Sequence, residues 1–158
     1  MQTPVPSELK AKLAQTYPEH ASRIVEALET PPSVSLRLNP ARTWAHRPYA
    51  ELRDEDIPWL PTELEGYWLS ERPVFALDPL WHAGAYYVQD ASAMTLAAIW
   101  NQLDWHTAPR LALDLCAAPG GKSTLLRDLL PKETLLVSNE ILPKRCKILV
   151  ENMVKWCG

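Results

Sequence analysis

Apolar residues return at helical spacing near the start of the chain. Leu9, Leu13 and Tyr17 follow Ser7, a residue able to cap a helix, and Ile24, Val25 and Leu28 share one side of a second helix that Pro18 can open. The period then drops to two: Ser33-Val34-Ser35-Leu36-Arg37-Leu38 alternates polar and apolar positions, which predicts a half-buried strand with Val34, Leu36 and Leu38 facing in. An irregular stretch with Pro48, Pro58 and Pro61 follows, and the pattern changes again past Pro73. Ala85 to Val88 reads as a strand, and Asp90 can cap a helix running through Asn101 with Met94, Ala97, Ala98 and Leu103 at helical spacing. Leu111 to Cys116 is apolar on both faces except at Asp114, as in a central parallel strand covered from both sides. A Gly-rich turn, a helix from Gly121 to Leu130, a strand from Thr134 to Ser138 and a helix opened by Pro143 complete the chain, the last with Cys146, Leu149, Val150 and Met153 on its inner face. Strand, tight turn, helix, strand and helix are the opening of a doubly wound α/β domain. The expected organisation is a small α+β domain over residues 1–72 and an α/β domain over residues 73–158.

Composition narrows the function classes. The chain has 158 residues, 47% apolar and 22% charged, which is ordinary globular usage, and Arg, Lys, Asp, Glu or Pro interrupts every apolar stretch before it reaches membrane-spanning length. The first residues lack a basic start followed by an apolar core, so a soluble, cytoplasmic protein is expected. Cys116, Cys146 and Cys157 form no CxxC pair, which argues against a disulfide framework and a metal site. A net charge of −3 carries no chain-wide signal for nucleic acid. The local exception is Arg37, Arg42, Arg47 and Arg53 against Glu51 alone, with Trp44 and Tyr49 among them; such a stretch can hold a phosphate backbone and stack a base, or be a solvated Pro-rich connection.

The chemistry concentrates in Asp114-Leu115-Cys116-Ala117-Ala118-Pro119-Gly120-Gly121-Lys122-Ser123. Small residues and two glycines between a buried strand and a helix let a ligand approach the backbone, where the first N–H groups of the helix point at it. A P-loop needs glycine where Cys116 stands, and Pro119 removes one of its N–H donors. A dinucleotide fingerprint needs a third glycine that is missing. S-adenosylmethionine, with a carboxylate and a ribose diol but no phosphate, asks for fewer N–H donors. Glu140, at the tip of the next strand, can accept from both ribose hydroxyls; its plain alternative is a surface glutamate. Lys122 in the first helical turn opposes the helix dipole, which points to an anionic neighbour, and Asp114 can touch the cofactor or cap the turn. Cys116 is expected to be a small buried residue. Gln89, Asp90 and Ser92 fit a helix cap as well as a functional role, and Trp81, His82 and Trp100 fit packing.

DLCAAPGGKS, with YYVQDASAM before it and SNEILPKR after it, closely resembles the Sun/Nop-type RNA cytosine-5 methyltransferases, particularly bacterial ribosomal RNA enzymes of the RsmF type. The resemblance extends from about Tyr86 to Gly158, and SVSLRLNP is similar to a strand of the family's N-terminal RNA-binding region. It implies a Rossmann-like methyltransferase sheet and S-adenosylmethionine as cofactor. Cys116, Ala117, Ala118, Pro119, Gly120, Gly121 and Lys122 would line its pocket, with Glu140 on the ribose and Arg145 nearby. It implies methyl transfer to carbon 5 of a cytosine in RNA, with Arg37, Arg42 and Arg47 as candidate RNA contacts.

Such chemistry uses a cysteine thiolate on carbon 6 and a second cysteine for release, from Pro-Cys and Thr-Cys-Ser elements of later strands. Neither element occurs here, so no catalytic residue is assigned and the catalytic cysteines are expected beyond Gly158. The resemblance implies about seven strands, and two parallel strands leave apolar faces and edges unpaired. The chain is therefore expected to be the N-terminal fragment of a longer enzyme, inactive alone, with the remainder of that domain as its partner. Competing readings are a non-catalytic RNA-binding or scaffold protein with a vestigial methyltransferase fold, and a methyltransferase acting on protein or small molecules.

Overall fold

The computed structural model describes residues 4–43, 47–104 and 107–158, so Trp44, one of the residues expected to stack a base, lies outside the described residues. The chain divides into two compact units, Met1–Ser33 and Val34–Gly158. In the first, α1 (Ser7–Thr16) and α2 (Ala21–Glu29) pack together and share the exposed Lys10–Glu29 ion pair at 2.7 Å. The Ser7 hydroxyl does not cap α1; Pro6 holds the cap position and its carbonyl accepts from Lys10 N–H at 3.0 Å.

The second unit begins with β1 (Val34–Leu38), the centre of a four-stranded sheet. β2 (Arg53–Asp56), β3 (Gly66–Leu69) and β4 (Tyr86–Val88) join it antiparallel in the order β2-β3-β1-β4, with Leu36 opposite Tyr67 on one side and Val88 on the other. β4 comes from beyond Pro73, so the sheet crosses the expected boundary at residue 72, and the compact units divide at Ser33 instead. Alternation along β1 is as expected, but both of its faces are buried. Val34, Leu36 and Leu38 enter an apolar core with Tyr67, Leu69, Phe75 and Tyr86, while Ser35 and Arg37 are covered on the opposite side.

A one-turn helix α3 (Pro79–His82), capped by Asp78 Oδ1 on Leu80 N–H at 2.9 Å, leads to Gly84. Gly84 has φ +70°, and a Cβ there would lie 2.1 Å from the carbonyl oxygen of Lys155. Asn39 Nδ2 donates to the carbonyls of Gly84 and Trp156, both at 2.9 Å, and ties this loop to the far end of the last helix. Gly84→Ala is expected to cost about 2 kcal/mol from overlap and left-handed strain. Urea denaturation checks it, and an unchanged midpoint would mean that the Lys155 carbonyl yields freely.

Asp90 caps a 3-10 turn (Ala91–Met94) through Ser92 N–H at 2.8 Å, and α4 (Thr95–Gln102) follows. β5 (Leu111–Asp114), α5 (Gly121–Leu129), β6 (Leu135–Ser138) and α6 (Pro143–Cys157) then appear in the expected order, with β5 and β6 parallel and in register from Leu111–Leu135 to Asp114–Ser138. The expectation of two covered faces fails for this pair of strands. Leu111, Leu113 and Leu135 are 62%, 57% and 63% exposed, and Val137 shares their face. Among the described residues nothing packs there, because α5 lies against the other face. Val150 on α6 is likewise exposed, whereas Leu149 is buried.

Candidate functional site

Asp114 ends β5 and organises the turn behind it. Its Oδ2 accepts from Ser123 Oγ at 2.7 Å and its Oδ1 from Cys116 N–H at 3.3 Å, while Ser138 Oγ on β6 donates to Ser123 Oγ at 3.0 Å. One carboxylate thus binds the strand tip to the first turn of α5, so its role is capping the turn. Asn139 extends the ladder past the strands: its N–H donates to the Asp114 carbonyl at 2.8 Å, its carbonyl accepts from Ala117 N–H at 2.9 Å, and its Nδ2 donates to Leu115 O at 2.9 Å. Ala117 and Ala118 are buried in a small cluster with Leu149, while Cys116 is exposed, contrary to the buried position expected of it. The Ala118–Pro119 peptide is cis.

Gly120 stands at the cap of α5 with φ +114°, a conformation that β-carbon-bearing residues rarely adopt. The N–H groups of Gly121, Lys122 and Ser123 open the helix, where no intrahelical acceptor exists for them, and Lys122 is exposed beside them. From behind, the turn is held by residues outside the expected pocket lining. Gln89 Nε2 donates to Gly121 O at 3.2 Å, and Tyr87 Oη and Asn152 Nδ2 donate to Pro119 O at 3.1 and 2.8 Å. Gln89 and Tyr87 sit on the strand-to-helix segment YYVQD, where a polar residue next to a strand end is the available signal; Asn152 offers none.

Glu140 follows β6 directly. Its side chain is only 3% exposed, with Oε1 accepting from Leu142 N–H at 2.9 Å and Oε2 3.2 Å from Arg145 Nη1. Arg145, half exposed on the first turn of α6, also donates from Nη2 to the Ala118 carbonyl, so it spans from the acidic strand tip to the Gly-rich turn. Cys116 to Lys122, Glu140 and Arg145 are thereby brought to one end of the β5–β6 pair. A carboxylate offers about four lone-pair sites. Asp114 spends both oxygens on the turn itself, whereas one of the two Glu140 oxygens is held by the half-exposed Arg145 side chain.

The candidate RNA contacts separate. Arg37 has 0% exposure, so it cannot reach a phosphate, which corrects the expectation. Its guanidinium pairs with Asp128, donates from Nη2 to Thr124 Oγ1 at 2.8 Å and from Nε to Gln89 Oε1 at 3.1 Å, and stacks over Trp156 at 4.4 Å. Burial raises the Asp128 carboxyl above its ordinary range against the pull of Arg37, and lowers the Arg37 guanidinium against the pull of Asp128. Arg47 is exposed and bidentate on Glu65 at 2.7 and 3.0 Å; Arg42 Nη2 donates to the Gly158 carbonyl at 2.9 Å. His82 bonds the Ala76 carbonyl at 2.8 Å and packs on Trp81, a structural role.

Cys116, Cys146 and Cys157 are free thiols, and burial raises the Cys157 thiol pKa. Among the described residues no cluster of three or more His, Cys, Asp or Glu could hold a metal ion, and no helix is long and apolar enough to cross a membrane.

Residues 5–91 match the family described as the N-terminal domain of 16S rRNA methyltransferase RsmF, and residues 102–156 match 16S rRNA methyltransferase RsmB/F. The chain is 29% identical to ribosomal RNA small subunit methyltransferase F of Photobacterium profundum, over 99% of this chain and 34% of that protein. It is 31% identical to the protein of the same name in a Shewanella species, over 90% of this chain and 30% of that one. The chain therefore spans about a third of the length of these relatives. Its fold is similar to the crystal structure of a methyltransferase homolog protein from Pyrococcus horikoshii, with a TM-score of 0.71 at 22% identity over 97% of this chain and 54% of that one.

Proposed function

The chain belongs to the 16S rRNA methyltransferase RsmF family, and from that premise we propose that it forms the cofactor-binding part of an enzyme that methylates carbon 5 of a cytosine in ribosomal RNA with S-adenosylmethionine. The observation that carries the cofactor reading is the juxtaposition of a nearly shielded Glu140 carboxylate with the open N–H groups of α5. The donor set suits a ligand with a diol at one end and a carboxylate at the other. Glu140, held in place by Leu142 N–H and flanked by half-exposed Arg145, would accept from the ribose hydroxyls. The α5 N–H groups and Lys122 would hold the anionic end. When bound, S-adenosylmethionine supplies an electrophilic methyl group on a sulfonium.

Carbon 5 of cytosine is a weak nucleophile, which is why a thiolate at carbon 6 is required. The chain's own cysteines do not suit that role. Cys116 belongs to the cofactor turn, Cys146 is half-buried on α6, and Cys157 has a thiol pKa raised by burial, which opposes thiolate formation. The work of these 158 residues is to bind and orient the cofactor, and the rRNA methyltransferase relatives support a cytoplasmic setting for the whole enzyme.

Isothermal titration of the chain with S-adenosylmethionine is expected to show saturable binding at one site. With tritiated cofactor and 16S rRNA the chain alone is expected to leave the RNA unlabelled. Absence of saturable binding would overturn the cofactor reading, and labelled RNA would overturn the assignment of its cysteines.

A further inference from the structure

A second concavity borders the Gly-rich turn: Pro119 of that turn is on its wall, whereas Asp114, Gly120 and Glu140 are not. It is a cleft of about 650 Å³, within the size range of small-molecule sites; the partly exposed Trp81 and Tyr87 stand on its walls, and buried Phe75 and Trp156 back them. Two cations stand on it, each set on its own ring: Arg72 over Phe75 at 5.6 Å and Lys155 Nζ over Trp81 at 4.7 Å. No carboxylate is among its lining residues. Flat apolar walls with fixed positive charge and no negative charge match a planar group that carries an anion.

We propose that this cleft holds an unstacked nucleotide of a single-stranded RNA segment, its base against Tyr87 and the ring face of Trp81 that Lys155 does not cover, and its phosphates near Arg72 and Lys155. Aromatic faces accept any base, and cations beside them track the backbone. The choice of RNA over another anionic aromatic rests on the ribosomal RNA reading above. The cleft also touches that site physically. Tyr87 Oη and Asn152 Nδ2, both on its wall, hold the Pro119 carbonyl of the cofactor turn. A nucleotide seated there lies against Pro119 of that turn, where it can place the strand that carries the target base.

Fluorescence anisotropy with a labelled single-stranded cytidine decamer, read against salt, tests this on the whole chain. Trp81→Ala is expected to weaken binding roughly tenfold, at the scale of one lost base stack, and Trp81→Phe to restore most of it. Lys155→Gln and Arg72→Gln are each expected to flatten the log–log salt slope by about 0.7. An abasic oligonucleotide of the same length is expected to bind like the intact one binds Trp81→Ala. If the wild-type chain binds the decamer and these variants leave affinity and slope unchanged, the cleft is overturned while the RNA reading stands. If the wild-type chain does not bind it, the cleft proposal falls alone, since the ribosomal RNA reading does not require this chain to hold a single strand. Equal affinity for the abasic strand also overturns base stacking.

Discussion

Arg37→Met is expected to destabilise the chain by about 3–5 kcal/mol, the usual effect of stripping one partner from a buried ion pair. The side chain is fully buried, and its four partners come from the end of β4, α5 and α6. Asp128, with its side chain 7% exposed, would keep the Trp156 Nε1–H bond at 2.9 Å and the weaker pull of the Arg127 charge. The remaining carboxylate must then take up a proton or draw in water, and the contact between the antiparallel sheet and the α5–α6 pair loosens with it. Adding Asp128→Leu to Arg37→Met is expected to recover much of the loss, since two apolar groups in that space leave no unpaired charge. Urea denaturation of both variants checks this. A single variant within about 1 kcal/mol of wild type would show that the pair does not join the two sheets, against the general cost of an orphaned buried charge.

Glu140→Ala is expected to raise the dissociation constant for S-adenosylmethionine by roughly tenfold to a hundredfold. Hydrogen bonds to a charged acceptor contribute about 1.5–3 kcal/mol, and about 1.4 kcal/mol is a factor of ten. Part of the loss is indirect, because Glu140 also accepts from Leu142 N–H and pairs with Arg145. Glu140→Gln separates the two effects, since its amide oxygen keeps the Leu142 bond while the charge is gone. It is expected to fall between the wild type and the alanine variant. Calorimetry of all three, with thermal melts to confirm folding, decides the matter. Unchanged affinity in both variants would remove Glu140 from the ribose.

Much of the cofactor end is legible in the residues themselves, because its signals are local. An apolar run ending in Asp114, two glycines, a second apolar run ending in Glu140 and Pro143 at a helix start specify β5, α5, β6 and α6 within a residue or two. β2 is not legible: Arg53-Asp54-Glu55-Asp56 has the composition of a loop, and it is a strand only because β3 offers it a ladder at the sheet edge. The boundary expected at residue 72 fails for a related reason. Pro73 marks a change of local pattern, but antiparallel pairing of β4 with β1 carries the sheet across it.

Arg37 shows the limit most clearly. Its alternation pattern places it correctly opposite Leu36 and Leu38, yet a solvent-facing and a buried arginine have the same sequence signature. The partners that bury it lie 52, 87 and 91 residues away, in Gln89, Thr124 and Asp128. The chain's residues alone determined the order of elements, the Gly-rich turn and the acid at the next strand tip, because backbone conformation and short-range periodicity encode them. Only the tertiary structure decided which charges are inside, that the Gly-rich turn is braced by Tyr87, Gln89 and Asn152, and that an aromatic cleft borders it, since each depends on surfaces meeting across long stretches of sequence.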